Sequence, residues 1–158
     1  MADNYGKKFE AKFVEDWLKL PNSTIERLYD PVGGFRGVSN ISDFVCYSYP
    51  QMFFMECKSI KGNTFPFSNL KQYTRLCTKS GIKGVNAGVT IWFYEKDEVL
   101  YVPIEVCKQM IENGEKSVNC KKVVDKTYSP CYDIVRIPSI KKRVFMDSDY
   151  SVLLRRDD

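Results

Sequence analysis

The stretch from Ser42 to Lys58 constrains this chain more than any other. It reads Ser-Asp-Phe-Val-Cys-Tyr-Ser-Tyr-Pro-Gln-Met-Phe-Phe-Met-Glu-Cys-Lys. Two runs rich in β-branched and aromatic residues flank a break at Tyr49-Pro50, the pattern of a β-hairpin. With the loop centred between Tyr49 and Pro50, Ser48 faces Gln51, Tyr47 faces Met52, and Asp43 falls opposite Glu56. Directly opposed residues share a face, with Cβ atoms about 5 Å apart. Strand alternation adds Lys58 to that face, two residues beyond Glu56. Pro50 cannot supply the positive φ of a type I′ turn, so the spacing allows a longer loop with the same register.

Two carboxylates facing each other inside an apolar hairpin are costly. At that range like charges repel and raise one pKa unless something positive sits between them. Oxygen ligands of this kind suit Mg²⁺, which takes one or two carboxylates and completes its shell with water and phosphate. A lysine beside such a metal orients or deprotonates a water and offsets charge on a phosphate. The bland alternative is a pair of strand carboxylates at a solvated sheet edge.

Composition removes several other chemistries. No histidine is present. That excludes Ser-His-Asp and Cys-His catalysis, His-ligated zinc and a histidine proton shuttle. The six cysteines, at 46, 57, 77, 107, 120 and 131, show no CxxC spacing. Cys46 and Cys57 on strands and Cys107 on a helix read as small core residues. Hydrophobic residues at 44% and aromatics at 14% describe a folded chain, and 158 residues suit a single domain, 1–158. The net charge of +4 suits a polyanionic partner without requiring one. No signal peptide or membrane span is legible, so a cytoplasmic protein with reduced thiols and no membrane partner is expected.

In chain order, a helix is predicted over Asp3–Leu20, with Asp3 as N-cap and Pro21 closing it. Phe9, Phe13, Val14, Trp17 and Leu18 form its apolar stripe. Lys7, Lys8, Lys12, Glu15, Asp16 and Lys19 are expected to face water. Glu10 shares the inward face and needs a partner there. Thr24–Tyr29 alternates as a strand. Asp30–Asn40 holds three glycines and a proline and cannot keep regular structure. Phe35 and Arg36, at its centre, place an apolar and a cationic group on this loop.

Lys61 sits in a basic turn after the hairpin, and Thr64-Phe65-Pro66 follows. A helix is predicted from Ser68, capped by its hydroxyl, to Ser80, with Gly81 just beyond. Leu70, Tyr73, Leu76 and Cys77 are its core side. Ser68, Gln72, Arg75 and Lys79 form a polar stripe, either a solvated face or, at Gln72, a group for a metal-bound water or a phosphate. Val85–Tyr94 is a buried central strand, and Val99–Val102 returns beside it. Pro103 opens a helix that ends at Asn113-Gly114, with Val106, Met110 and Ile111 inward. Tyr132–Ile137 and Arg143–Met146 read as short strands. Lys141-Lys142-Arg143 is a charged turn or a phosphate contact, and the turn is favoured. The order of elements gives an α/β protein, a mixed β-sheet flanked by helices on both faces.

The pattern Asp43-(12 residues)-Glu56-Cys57-Lys58 resembles the signature of the PD-(D/E)XK nuclease superfamily, whose core is restriction-endonuclease-like. Taken with Ser42-Asp43-Phe44, Phe53-Phe54-Met55-Glu56-Cys57-Lys58 and Thr64-Phe65-Pro66, the stretch from about Tyr5 to Met110 is similar to the RecU family of Holliday-junction resolvases, in particular its short phage-type members. The resemblance implies a Mg²⁺-dependent endonuclease, with Mn²⁺ able to substitute, that resolves four-way junctions by paired symmetric cuts. It implies a homodimer, because two symmetric cuts need two sites. Asp43 and Glu56 would bind the metal, helped by the Glu56–Cys57 carbonyls, and Lys58 would act on water or phosphate. Glu10 would complete an acidic cluster, while Gln72 and Ser42 would support it. Branched DNA would lie along Phe35, Arg36, Lys61, Arg75 and Lys79, with segment 30–40 as a shortened junction-probing stalk. A phage-encoded enzyme would act in the host cytoplasm. Two other readings stay open: a different PD-(D/E)XK endonuclease acting on branched or duplex DNA, and a non-catalytic DNA-binding module.

Overall fold

The structure is a computed structural model that describes residues 4–29 and 40–155. Its elements run α1 (Tyr5–Trp17), β1 (Ser23–Arg27), β2 (Phe44–Ser48), β3 (Gln51–Ile60), β4 (Thr64–Pro66), α2 (Tyr73–Cys77), β5 (Val85–Phe93), β6 (Glu98–Pro103) and α3 (Ile104–Glu112). Then follow β7 (Ser117–Asn119), α4 (Cys120–Val124), β8 (Val135–Arg136), β9 (Ser139–Lys141) and β10 (Met146–Ser148). Six strands form one mixed sheet in the order β1-β2-β3-β5-β6-β8. β3 and β5 are parallel, and every other neighbouring pair in that sheet is antiparallel. No helix among the described residues is long and apolar enough to cross a membrane.

Alternation along the central strands builds two cores. Phe53, Met55 and Cys57 on β3 join Phe9, Phe13 and Trp17 of α1 on one face. Val89 and Ile91 on β5 join Leu76 of α2 and Ile104, Cys107 and Met110 of α3 on the other. The expected helices on both faces are therefore present. β5 is buried almost throughout, because both its faces are covered. Gly88 is required there: a Cβ at this position would lie 2.6 Å from the Val102 carbonyl oxygen and 2.7 Å from the Tyr101 ring.

The hairpin register is the expected one, with Ser48 paired to Gln51, Tyr47 to Met52 and Phe44 to Met55. The longer loop is not needed. With Ser48 paired to Gln51 the loop is the two residues Tyr49 and Pro50, joined by a cis peptide.

Several local expectations are corrected. The cap of α1 is Asn4, whose side chain accepts from the Lys7 N–H at 3.1 Å; Asp3 lies outside the described residues. The helix ends at Trp17, and Leu18 is 52% exposed rather than inward. Ile111 is likewise turned out. The helix predicted over 68–80 is only α2, because Phe67 donates its N–H to the Lys116 carbonyl and Phe67–Asn69 forms a 3₁₀ turn. Leu70 then buries its side chain from a non-helical backbone, so Ser68 caps nothing. Tertiary pairing of β4 with β7 overrides local helix preference here. Gly81 does take the expected positive φ, +81°. Of Tyr132–Ile137 only Val135–Arg136 is strand, and the strand expected at Arg143–Met146 begins at Met146.

The largest correction lies on α1. Lys12 and Asp16, expected in water, are 8% and 2% exposed. Lys12 Nζ lies 2.9 Å from Asp16 Oδ1, 2.5 Å from Asp147 Oδ1 and 3.2 Å from Glu15 Oε1. Asp16 Oδ2 also accepts the Ser148 N–H at 3.0 Å. Burial works against the Lys12 charge, but hydrogen bonds to Asp147 and Asp16 outweigh it and hold its pKa above the ordinary value. This network fastens β9 and β10 to α1. Removing one partner of a buried pair strands the others at a cost of about 3–5 kcal/mol. Asp147 is partly exposed, so Lys12→Met is expected to destabilise the fold by about 2–3 kcal/mol. Urea unfolding measures this, and a loss below about 0.5 kcal/mol would mean the pairs are only surface contacts.

Candidate active site

Asp43 precedes β2 by one residue, and the hairpin register carried one step further sets it opposite Glu56. The Ser42 hydroxyl, buried, donates to the Phe44 carbonyl at 2.8 Å and closes the turn that presents Asp43. Ser42 thus supports the site through the backbone. Asp43 Oδ2 accepts the Cys57 N–H at 2.9 Å, a bond that bridges the two strands at the level of Glu56. Lys58 Nζ lies 3.4 Å from Glu56 Oε2. The three side chains therefore meet at the mouth of the hairpin, Glu56 deep and Lys58 half-buried.

Glu56 carries the electrostatic signature of this arrangement. It is 1% exposed, and its Oε1 is buried without a hydrogen-bond partner among the described residues. Burial, and after it the negative charge of Asp43, push its pKa up to about 7, against the pull of Lys58. A buried carboxylate beside a second one, with an unused oxygen, has more negative charge around it than Lys58 offsets. The donor set is hard oxygen, two carboxylates strong, which fits a small divalent cation of the Mg²⁺ type. Gln72 shows a parallel feature: its Oε1 is also buried and unpartnered among the described residues. The thiol beside the site is inert, since burial pushes the pKa of Cys57 well up.

Glu10 does not join these carboxylates, and no group of three or more His, Cys, Asp or Glu able to hold a metal occurs among the described residues. Its carboxylate is ion-paired to the Arg27 guanidinium. The reason is the pleat. α1 covers the face bearing Phe53, Met55 and Cys57, whereas Glu56 and Lys58 are out of step by one residue and project to the other face. Arg27 is a functional candidate that sequence reading missed. It lies over the rings of Tyr29 and Phe44, at 5.3 and 5.4 Å. The Glu10 hydrogen bond raises its pKa, and Asp43 contributes. A signal existed: Glu10 on an apolar face needs a cation, and Arg27 is the only one in Thr24–Tyr29. Together with Lys7, Val14, Ile25, Tyr29 and Phe44, this pair lines an open groove of about 530 Å³.

The remaining expected residues scatter. Lys61 is exposed just past the end of β3, and Arg75 is exposed on α2. Lys79 Nζ sits 5.3 Å over the Phe54 ring. Phe35 and Arg36 lie outside the described residues.

No protein-family model matches the chain, and no curated protein matches it significantly. Solved structures do. One is Hjc, a Holliday junction resolvase from the archaeal hyperthermophile Archaeoglobus fulgidus. The likeness has a TM-score of 0.50 at 19% identity, over 64% of this chain and 78% of that one. At that identity it is a likeness of fold alone: a mixed sheet flanked by helices.

Proposed function

We propose that this chain is a Mg²⁺-dependent endonuclease that resolves four-way DNA junctions, with RecU-like selectivity, acting as a homodimer. The observation that carries the reading is Glu56: a buried carboxylate with an unpartnered oxygen, set against Asp43 and within reach of Lys58. A module that only bound DNA would gain nothing from such repulsion. The fold it shares with an archaeal junction resolvase supports the substrate class.

Asp43 and Glu56 would hold the cation, with Mn²⁺ able to replace Mg²⁺. When bound, the metal supplies Lewis acidity toward the phosphate and lowers the pKa of its water. Lys58 holds a positive charge at the Glu56 carboxylate, where it orients the attacking water and offsets charge growing on the phosphate. The Cys57 N–H and the Ser42 turn keep Asp43 aimed. Glu10 pairs with Arg27, which lies over the Tyr29 and Phe44 rings at the flank of the site. One site per chain makes one cut, so two symmetric cuts call for a two-fold dimer.

The test is a labelled four-way junction and a linear duplex incubated with Mg²⁺ and with chelator. Paired symmetric cuts in the junction, only with metal, are expected. Lys58→Ala should slow cleavage by about 10²-fold or more, the scale of losing one electrostatic or general-base group. Lys58→Arg should rescue poorly, because a planar fork does not replace a point charge. Equal cutting of linear duplex would reassign the chain to a general nuclease, and full activity in the arginine variant would remove the role given to Lys58.

A further inference from the structure

β9 and β10 form a two-stranded hairpin outside the six-stranded sheet. Such a hairpin is marginal in water by itself. Here it is anchored through Lys12, Asp16 and the Ser148 N–H on its α1 side, and through the Lys141–Asp97 pair at 2.6 Å on the β5–β6 turn. The Lys142 N–H donates to the Phe145 carbonyl at 2.8 Å and leaves Arg143 and Val144 at the tip. That tip is built for contact. Ile140 is 66% and Val144 58% exposed. Arg143 has no ion-pair partner among the described residues, and Lys142 reaches Asp147 only at 3.6 Å. The segment from Ser139 to Phe145 contains three cations and no acid.

The hairpin stands at the same end of the sheet as the candidate site. β3 leaves the sheet at Ile60, two residues past Lys58, and the Tyr94 N–H closes on the Ile60 carbonyl at 3.3 Å. α1 starts there, its Tyr5 carbonyl accepting the Ser59 hydroxyl at 3.2 Å. The β5–β6 turn that anchors Lys141 follows directly from Tyr94. Lys8 and Phe145 line one small cleft across this end.

We propose that the β9–β10 tip grips the sugar–phosphate backbone of a duplex DNA arm, with Arg143 on a phosphate and Val144 against the sugar. The inference rests on the reading of the chain as a DNA endonuclease. Arginine is the side chain whose fork matches a phosphate. An apolar protein partner fits less well, since the cores of such interfaces are depleted of charge and of lysine. Anchoring on the helix that carries Glu10 means that little ordering entropy is lost when DNA binds.

Fluorescence anisotropy with labelled linear duplex and labelled four-way junction, in chelator and over a series of salt concentrations, tests it. Arg143→Ala should weaken both DNAs about 5-fold and lower the slope of log affinity against log salt by about one, the signature of one lost phosphate contact. Arg143→Lys should keep the slope. The melting temperature should not move, because the side chain is exposed. An unchanged slope and affinity in Arg143→Ala, with a wild type that binds DNA, would overturn the hairpin contact and leave the nuclease reading standing. A loss confined to the junction would overturn the duplex-arm assignment. A wild type that binds neither DNA would overturn both.

Discussion

Asp43→Asn is expected to cut Mg²⁺-dependent cleavage of a four-way junction to below about 1% of wild type, at least the scale of losing one electrostatic group in a reaction centre, while junction binding in chelator survives. The substitution keeps shape. An amide oxygen still accepts the Cys57 N–H, so the bond between the hairpin strands persists. What is lost is one of two charges that would hold the cation. The same change should relax Glu56, because the Asp43 charge is one of the causes that push its pKa up. Single-turnover cleavage and anisotropy on one preparation measure both sides. Retained cutting above a few per cent of normal would count against Asp43 as a ligand.

Glu56→Gln should separate stability from activity in the opposite sense. The Glu56 carboxyl in the fold binds its proton up to about pH 7, against an ordinary carboxyl value near 4.3 in an unfolded chain. The folded state therefore binds the proton more tightly than the unfolded one. Its contribution is complete below the unfolded value, declines as pH rises toward 7, and is gone above that. The window is roughly pH 4.5 to 7, and the difference amounts to about 3–4 kcal/mol. Glutamine does not ionise. In chelator, Glu56→Gln should match wild type near pH 4.5 and exceed it by up to about 3–4 kcal/mol at pH 8, a rise of roughly 6–16 °C in melting temperature for a chain of this length. Added Mg²⁺ should raise the melting temperature of wild type and not of the variant, and the variant should not cleave. Identical pH–stability curves for the two proteins between pH 5 and 7 would show that neither burial nor Asp43 raises the Glu56 pKa, and the account of the site would fail with them.

Such a trade of stability for charge is what the proposed reaction centre would require. The aromatic packing around α1 offsets it. Trp17, Phe13, Phe53 and Tyr150 pack in tilted and edge-on contacts at 4.9–6.2 Å, beneath the same strands that present Asp43 and Glu56.

Elements whose signal is short-range were legible. The β2–β3 register followed from the spacing of apolar residues about Tyr49-Pro50, because a slip by one residue would turn Phe53 and Met55 out of the core. β5 followed from a continuous apolar run, and α3 from Pro103 at its start and Gly114 at its end. Those local rules sufficed to bring Asp43, Glu56 and Lys58 to one place. What the residues could not show locally was decided by partners far along the chain. α2 was cut short because β4 pairs with β7 some fifty residues later. Lys12 and Asp16 read as solvent-facing until Asp147 and Ser148 arrive from the other end of the chain to bury them. Glu10 points inward as expected, and its partner there is Arg27. Which face of a sheet a helix covers is set by the packing of whole layers, and here α1 took the face of Phe53 and Cys57, giving Glu10 to Arg27 and leaving Glu56 to Asp43 and Lys58. Periodicity along a strand says which residues share a face. Only the folded chain says what lies above it.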